Sequence, residues 1–165
     1  MNIRQATIQE IENWWDVKIE KQPNNPAYKI WKEDFVEGNK KGKYKTFFVF
    51  DENNNYVGQG SLTLKSEDPD LTGENKAEVT KLEINREFRG QKICTLIHNT
   101  LINYAKSIGI KKLTIGVDPA KIKNMQIYFH FGYNTFIKVT SEEEPPREPN
   151  GSPTQEYVLY YSMEI

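Results

Sequence analysis

The fold of this chain is decided by residues 77–133, which read AEVTKLEINREFRGQKICTLIHNTLINYAKSIGIKKLTIGVDPAKIKNMQIYFHFGY. The pattern predicts a strand over 77–85, a loop containing Arg89-Gly90, and a helix over 90–108 whose apolar residues recur at helical spacing. A second strand and a shorter helix follow at 112–117 and 121–131. A strand that leads through a glycine turn into a helix start presents free N–H groups and the positive end of the helix dipole. We therefore predict an anion-binding corner at this turn.

The remaining segments extend this unit on both sides. Thr7 and Glu10 have the spacing of a capping box at the start of the first helix. The element order is β-α-α-β-β-β-α-β-α-β-β, so we expect an α/β (α+β) fold with a mixed central sheet in a single domain over residues 1–165. The other elements are predicted at 1–6, 28–36, 46–50, 56–65, 133–140 and 155–165, with turns or loops at 38–43, 66–76 and 142–154.

Composition excludes several classes of protein. Hydrophobic residues make up 37% and charged residues 27% of 165 residues, which is typical of a globular domain. The net charge of −1 argues against a nucleic-acid partner, and no apolar run is long enough to cross a membrane. Cys94 is the single cysteine, which favours a reducing, cytoplasmic location. His98 and His130 lack partners at metal-ligand spacing, so no metal site is predicted.

Four short motifs in the deciding stretch resemble those of the GCN5-related N-acetyltransferase (GNAT) superfamily. Arg89 to Cys94 (RGQKIC) resembles the motif Arg/Gln-x-x-Gly-x-Gly/Ala, and residues 82–90 (LEINREFRG) resemble its approach, L-x-V-x-P-x-x-R-G. Residues 104–109 (YAKSIG) and 127–133 (IYFHFGY) resemble the family's A-x-x-x-G and L-Y-x-x-x-G-F. The resemblance implies a GNAT-like sheet with a splayed parallel strand pair and acetyl-CoA as the acyl donor.

The chain departs from the family pattern at three positions. Lys92 stands where the phosphate motif has glycine, and Cys94 stands where it has a small residue. Lys121 occupies a position that is often asparagine, with Asn124 nearby. The Lys92 side chain could crowd the pyrophosphate, because glycine lets the backbone approach closely, or it could compensate by its charge.

The resemblance also implies where acetyl-CoA binds. Its pantetheine arm would lie between the strands at 77–85 and 112–117, with a backbone N–H near Leu82 to Ile84 facing the thioester oxygen. The turn from Arg89 to Thr95 would hold the pyrophosphate through backbone N–H groups. The predicted cofactor-binding residues are Leu82, Glu83, Ile84, Arg89, Gly90, Gln91, Lys92, Ile93, Cys94, Thr95, Asn124 and Tyr128.

Three side chains are candidates for the chemistry. Tyr128 is the predicted general acid, because a phenol can protonate a departing thiolate. Glu78 is the preferred base, directly or through water, and Glu83 is the second candidate. Five residues apart, Glu78 and Glu83 lie on opposite faces of a regular strand, so only a bulge would let both face the cleft. Cys94 is interpreted as a packing residue, since no base partner stands at a recognisable spacing.

The acceptor is predicted to be a primary amine on a small molecule. Acidic residues in two loops would attract a cationic amine. The open ends of the sheet would allow a homodimer to form. Two rivals remain: a non-catalytic acyl-CoA-binding or sensor module on the same scaffold, and a protein-interaction domain that uses the aromatic N-terminal helices. The acidic residues are Glu67, Asp68, Asp70, Glu74, Glu142, Glu143, Glu144 and Glu148.

Overall fold

The computed structural model describes all 165 residues and has one seven-stranded mixed sheet with four α-helices. The elements are β1 Asn2–Gln5, α1 Ile8–Lys21, α2 Ala27–Lys40, β2 Tyr44–Phe50, β3 Tyr56–Thr63, β4 Lys76–Ile84, a 3-10 helix Arg86–Phe88, α3 Ile93–Ser107, β5 Lys112–Val117, α4 Ile122–Phe131, β6 Thr135–Glu144 and β7 Thr154–Glu164. The strands lie in the order β1-β2-β3-β4-β5-β7-β6, and only β4 and β5 run parallel. The predicted order of elements and the mixed sheet are confirmed.

The start of α1 follows from its capping sequence. Thr7 Oγ1 accepts a hydrogen bond from the Glu10 N–H, and the Glu10 carboxylate accepts one from the Thr7 N–H, which is the predicted capping box. Arg4 on β1 also donates to this carboxylate, and that hydrogen bond lowers the pKa of Glu10 to about 2. The start of α1 is thereby joined to the edge strand β1.

The second helix is longer than its sequence pattern predicts. We expected it over 28–36 with a turn from Gly38, but α2 continues through Gly38 to Lys40. A Cβ at Gly38 would lie 2.3 Å from ring atoms of Tyr44, so the glycine makes room for that ring inside the helix. Close packing against Tyr44 therefore explains why residue 38 is glycine, and no turn is present there.

Each face of the sheet has its own core. The helices α3 and α4 cover one face, where buried residues of β2 to β5 pack against Ile97 and Leu101. The helices α1 and α2 cover the other face, where Ile11, Trp15 and Phe35 pack against Phe48. We call these the α3 face and the α1/α2 face.

The last two strands form a longer hairpin than predicted. We expected β6 over 133–140 and a loop from Glu142, but the ladder with β7 continues to the pair Glu144–Thr154. Backbone pairing there is supported by side chains across the strands, such as Ser141 Oγ donating to Gln155 Oε1 at 2.8 Å. Glu142 to Glu144 therefore lie in a strand, and the proline-rich loop is confined to residues 145–153. No helix in the structure has the length and apolarity needed to span a membrane.

Candidate active site

The parallel strands β4 and β5 separate partway along their length. They pair only from Lys76–Lys112 to Val79–Ile115. Beyond that point β4 continues to Ile84 without β5 beside it, and β5 ends at Val117. Backbone groups on this side of β4 have no sheet partner, so the gap can pair with an extended ligand as a strand would. This is the splayed pair that the sequence predicts.

A bulge in β4 lies at the mouth of this gap. Along β3, Gln59 and Ser61 are two residues apart, while their partners Glu83 and Thr80 are three apart, so β4 contains one extra residue. Lys81 lies within this step and has a left-handed backbone, φ +52°. The bulge shifts the side-chain alternation, and Glu83 therefore lies on the α1/α2 face together with Glu78. The regular strand that would have separated the two carboxylates is not present.

The turn before α3 has the form of an anion site. We predicted a helix from Gly90, but Gly90 and Lys92 have left-handed backbones, φ +79° and +59°, so α3 begins at Ile93. The N–H groups of Gly90 to Lys92 donate to no backbone acceptor, and those of the first helical residues, up to Thr95, have no intrahelical partner. Six consecutive N–H groups are thus free to bind an anion at the positive end of the helix.

Lys92 keeps the glycine-like conformation although it carries a side chain. That side chain is exposed, so it leaves the turn open. Arg89 fixes the turn to the strand, because its Nε donates to the Ile84 carbonyl at 3.2 Å. The sequence allowed either crowding or compensation at Lys92, and the exposed ammonium beside free N–H groups fits compensation.

Tyr128 lies on the α3 face, packed against the core cluster there. The hydroxyls of Tyr44, Tyr133 and Tyr160 each form a hydrogen bond with another side chain. The hydroxyl of Tyr128 forms none. Burial, and next the proximity of Cys94, raise the pKa of Tyr128 to about 12. The phenol is therefore protonated at neutral pH and free to donate.

Cys94 is half-buried in the first turn of α3, and burial raises the pKa of its thiol. This shift is opposite to the lowering that a helix start can produce, so the thiol is not activated as a nucleophile. Asn124, in the first turn of α4, is exposed.

Glu78 lies in the paired part of β4, opposite Thr114 of β5. Burial, and next the carboxylates of Glu142 and Asp68, raise the pKa of Glu78 to about 7. A carboxylate with this pKa exchanges protons near neutrality, which is what a general base requires. The strand ladder that brings Glu142 here is the part of β6 that the sequence assigned to a loop.

A cavity of about 450 Å³ opens on the α1/α2 face and reaches the unpaired part of β4. Glu83 lines it and accepts a hydrogen bond from Lys18 at 2.8 Å. Sequence analysis singled out the aromatic N-terminal helices and Glu83, but missed the cations, which come from three separate segments. The lining residues are Trp14, Trp15, Lys18, Gln22, Asn25, Tyr28, Trp31, Lys81, Glu83 and Arg147.

Among the eight acidic residues that were expected to surround the acceptor, Asp68, Asp70 and Glu142 are engaged with other side chains. Lys138 forms ion pairs with both Asp68 and Asp70. Glu142 accepts a hydrogen bond from the Tyr160 hydroxyl at 2.7 Å. No group of three or more His, Cys, Asp or Glu side chains is arranged to hold a metal ion.

The fold and the gap define an acyl-CoA-dependent transferase class, and comparison with known proteins gives the family. Residues 8–133 match the acetyltransferase (GNAT) family. This match covers more than half of the chain, so the chain belongs to that family, and acetyl-CoA is its acetyl donor. No curated protein sequence matches it significantly.

Solved structures share the fold at low sequence identity. A ribosomal-protein-alanine N-acetyltransferase from Brucella melitensis is 14% identical over 100% of both chains, with a TM-score of 0.70. A spermidine N-acetyltransferase SpeG chimera from Vibrio cholerae and hSSAT is 15% identical over 99% of this chain and 96% of its own, with a TM-score of 0.66. The yncA structure from Salmonella typhimurium, with its cofactor acetyl-CoA, is 12% identical over 99% and 93%, with a TM-score of 0.68.

The residues present fit acetyl-CoA. The free N–H groups from Gly90 to Thr95 suit a pyrophosphate, and the ammonium of Lys92 adds positive charge. The unpaired edge of β4 suits the amide groups of a pantetheine arm.

Proposed function

We propose that this acetyltransferase acetylates a primary amine on a small molecule by direct attack in a ternary complex. One observation carries the proposal: the unpaired part of β4 lies between two features that suit two different substrates. The aromatic cavity reaches it through Lys81 and Glu83 on the α1/α2 face, and the turn before α3 and Tyr128 lie toward the other face. The gap between β4 and β5 connects these faces, so both substrates can meet beside β4.

The donor side uses mainly backbone groups. Acetyl-CoA supplies an activated acetyl thioester when bound. The N–H groups of Gly90 to Thr95 would hold its pyrophosphate, with Arg89 and Lys92 near the negative charge. An N–H of the unpaired segment Leu82 to Ile84 would donate to the thioester oxygen and stabilise the negative charge that develops there. Asn124, at the start of α4, is proposed to contact acetyl-CoA as well.

A base must keep the attacking amine neutral. We assign this role to Glu78, whose pKa of about 7 matches a proton acceptor at neutral pH, acting through water. Glu83 is the second candidate, because it lines the cavity although Lys18 holds its carboxylate. As the amine nitrogen bonds to the acetyl carbon, its proton passes to the base and the C–S bond breaks.

Tyr128 is assigned as the acid that protonates the departing thiolate. A pKa of about 12 makes the phenol a weaker acid than a free tyrosine. The same surroundings raise the pKa of the Cys94 thiol, and they would raise that of a CoA thiolate beside it in the same way. The pKa of the phenol and the pKa of the CoA thiol would therefore differ by less than the raised pKa of Tyr128 alone would give.

The test is acetyl-CoA consumption, followed by thiol release, with a panel of small primary amines. Turnover that depends on the amine, with the acetylated product identified by mass, supports the proposal. An ordered or random sequential rate law is expected, since the attack is direct. Parallel double-reciprocal lines would indicate an acyl-enzyme and contradict it. Calorimetric binding of acetyl-CoA without turnover of any amine would instead favour the acyl-CoA-binding module.

A further inference from the structure

The charge of the aromatic cavity is opposite to what a cationic acceptor needs. Three of its lining residues are cations, namely Lys18, Lys81 and Arg147, and one, Glu83, is a carboxylate. Lys18 and Glu83 are paired at 2.8 Å, so their charges largely cancel. Arg147 is likewise paired with Glu156 at 2.6 Å, so the cavity is left with the positive charge of Lys81.

These two cations retain capacity for a ligand. Lys81 forms no ion pair within the chain, and the bulge holds it at the cavity. Arg147 donates from one nitrogen to Glu156 at 2.6 Å. A guanidinium has five N–H donors, so further donors of Arg147 remain. Together they suit a carboxylate, which accepts charge-assisted hydrogen bonds.

The aromatic walls of the cavity point in the same direction. The ammonium of Lys18 lies 4.0 Å from the ring centroid of Trp14, and the guanidinium carbon of Arg147 lies 5.9 Å from that of Trp31. The chain's own cations thus already occupy the positions that a cationic ligand would take on these rings. A neutral flat group can still contact the remaining aromatic surface.

We propose that the acceptor is an amino acid with a flat apolar side chain: its carboxylate binds Lys81 and Arg147, and its ring packs against the aromatic walls. The amine then lies toward Glu83 and the unpaired part of β4. A volume of about 450 Å³ holds a ligand of this size. This inference rests on the proposed acetylation of small amines and names the class of amine.

The experiment compares L-phenylalanine with phenethylamine, which lacks only the carboxylate. Rates are measured over a pH series with saturating acetyl-CoA and compared for equal concentrations of neutral amine. L-phenylalanine is expected to have a kcat/KM at least about tenfold higher, because a charge-assisted hydrogen bond is lost with the carboxylate. Lys81→Met should remove most of this preference, because it should lower kcat/KM for L-phenylalanine far more than that for phenethylamine.

Lys111→Met is the matched control, because Lys111 is exposed just before β5, at the end of the strand far from the gap. It should keep the preference. Equal or faster acetylation of phenethylamine by the unchanged protein would overturn the amino-acid acceptor while supporting the proposed function.

A binding measurement separates the two failures. Hydrocinnamate carries the ring and the carboxylate but no amine, and its binding to the protein without acetyl-CoA is followed by calorimetry. If no amine is acetylated, the proposed function fails; binding that Lys81→Met weakens about tenfold would still support the anion site. No binding, or binding that Lys81→Met leaves unchanged, would overturn it.

Discussion

The two sides of the β4–β5 gap are built from different materials. On the α3 side, the turn from Gly90 to Thr95 offers backbone N–H groups. On the α1/α2 side, the cavity is made of side chains from five segments: α1, the turn between α1 and α2, α2, β4 and the loop that contains Arg147. A site made of backbone depends on conformation, and a site made of side chains depends on residue identity.

This difference explains why one side matches a motif and the other does not. At Lys92 the residue differs from the glycine of the motif, yet φ remains +59°, so the N–H groups keep their arrangement. In the cavity no backbone feature could replace Lys81 or a tryptophan. Changes on the donor side should therefore affect every amine alike, whereas changes in the cavity should affect one class of amine.

The largest effect is expected at Tyr128, which should serve all amines equally. Tyr128→Phe removes the proton donor, and kcat should fall about a hundredfold with every acceptor, while the affinity for acetyl-CoA changes less than about twofold. Steady-state rates and calorimetry measure the two quantities. Tyr157→Phe is the control, because Tyr157 is exposed on β7. An unchanged kcat would remove Tyr128 from the mechanism.

Glu78→Gln tests the base through both rate and stability. The folded protein holds the Glu78 proton with a pKa of about 7, against 4.5 for the ordinary side chain, so this group stabilises the fold at low pH and loses that contribution as pH rises through 7. The amide should raise the free energy of unfolding by about 2 kcal/mol at pH 8, with little change at pH 5. Urea unfolding at both pH values measures this.

The same variant should remove the acid limb near pH 7 from the rate profile of the protein. Glu83→Gln is the comparison, because Glu83 lines the cavity whereas Glu78 lies in the paired part of β4. Loss of the limb in Glu83→Gln but not in Glu78→Gln would move the role of base to Glu83.

A smaller effect is expected at Lys92, again for all amines alike. Lys92→Glu places negative charge beside the free N–H groups, so the KM for acetyl-CoA should rise about fivefold at low salt and less at high salt. Steady-state kinetics at two ionic strengths measures it, with Lys111→Glu as the control. A rise limited to amino-acid acceptors would contradict the separation of the two sides.

Periodicity predicted the elements of this fold well, because helix and strand patterns are local. The start of α3 was misplaced, since nothing in the residue types shows that Lys92 takes a left-handed conformation usually left to glycine. The end of α2 was misplaced because Gly38 makes room for the ring of Tyr44, and this tertiary contact is not visible in the local sequence.

The candidate site was predictable only in part. The turn from Arg89 to Thr95 and Tyr128 belong to or adjoin short sequence motifs, so the sequence predicts them as site residues. The role of Lys81 depends on a bulge that neither glycine nor proline marks in the sequence, and that of Arg147 depends on a distant loop that approaches α2. Such combinations appear only when the chain is folded.

The extra residue in β4 also allows this strand to change its length. Deleting Lys81 would restore regular alternation with Leu82 still facing the apolar core and Glu83 still facing the cavity, because the lost residue is the one that the bulge adds. The inside and outside of the strand would survive the loss of that codon, whereas the ammonium at the cavity would disappear with it. Natural variants that lack this residue should therefore keep the sheet and differ in the charge of the cavity.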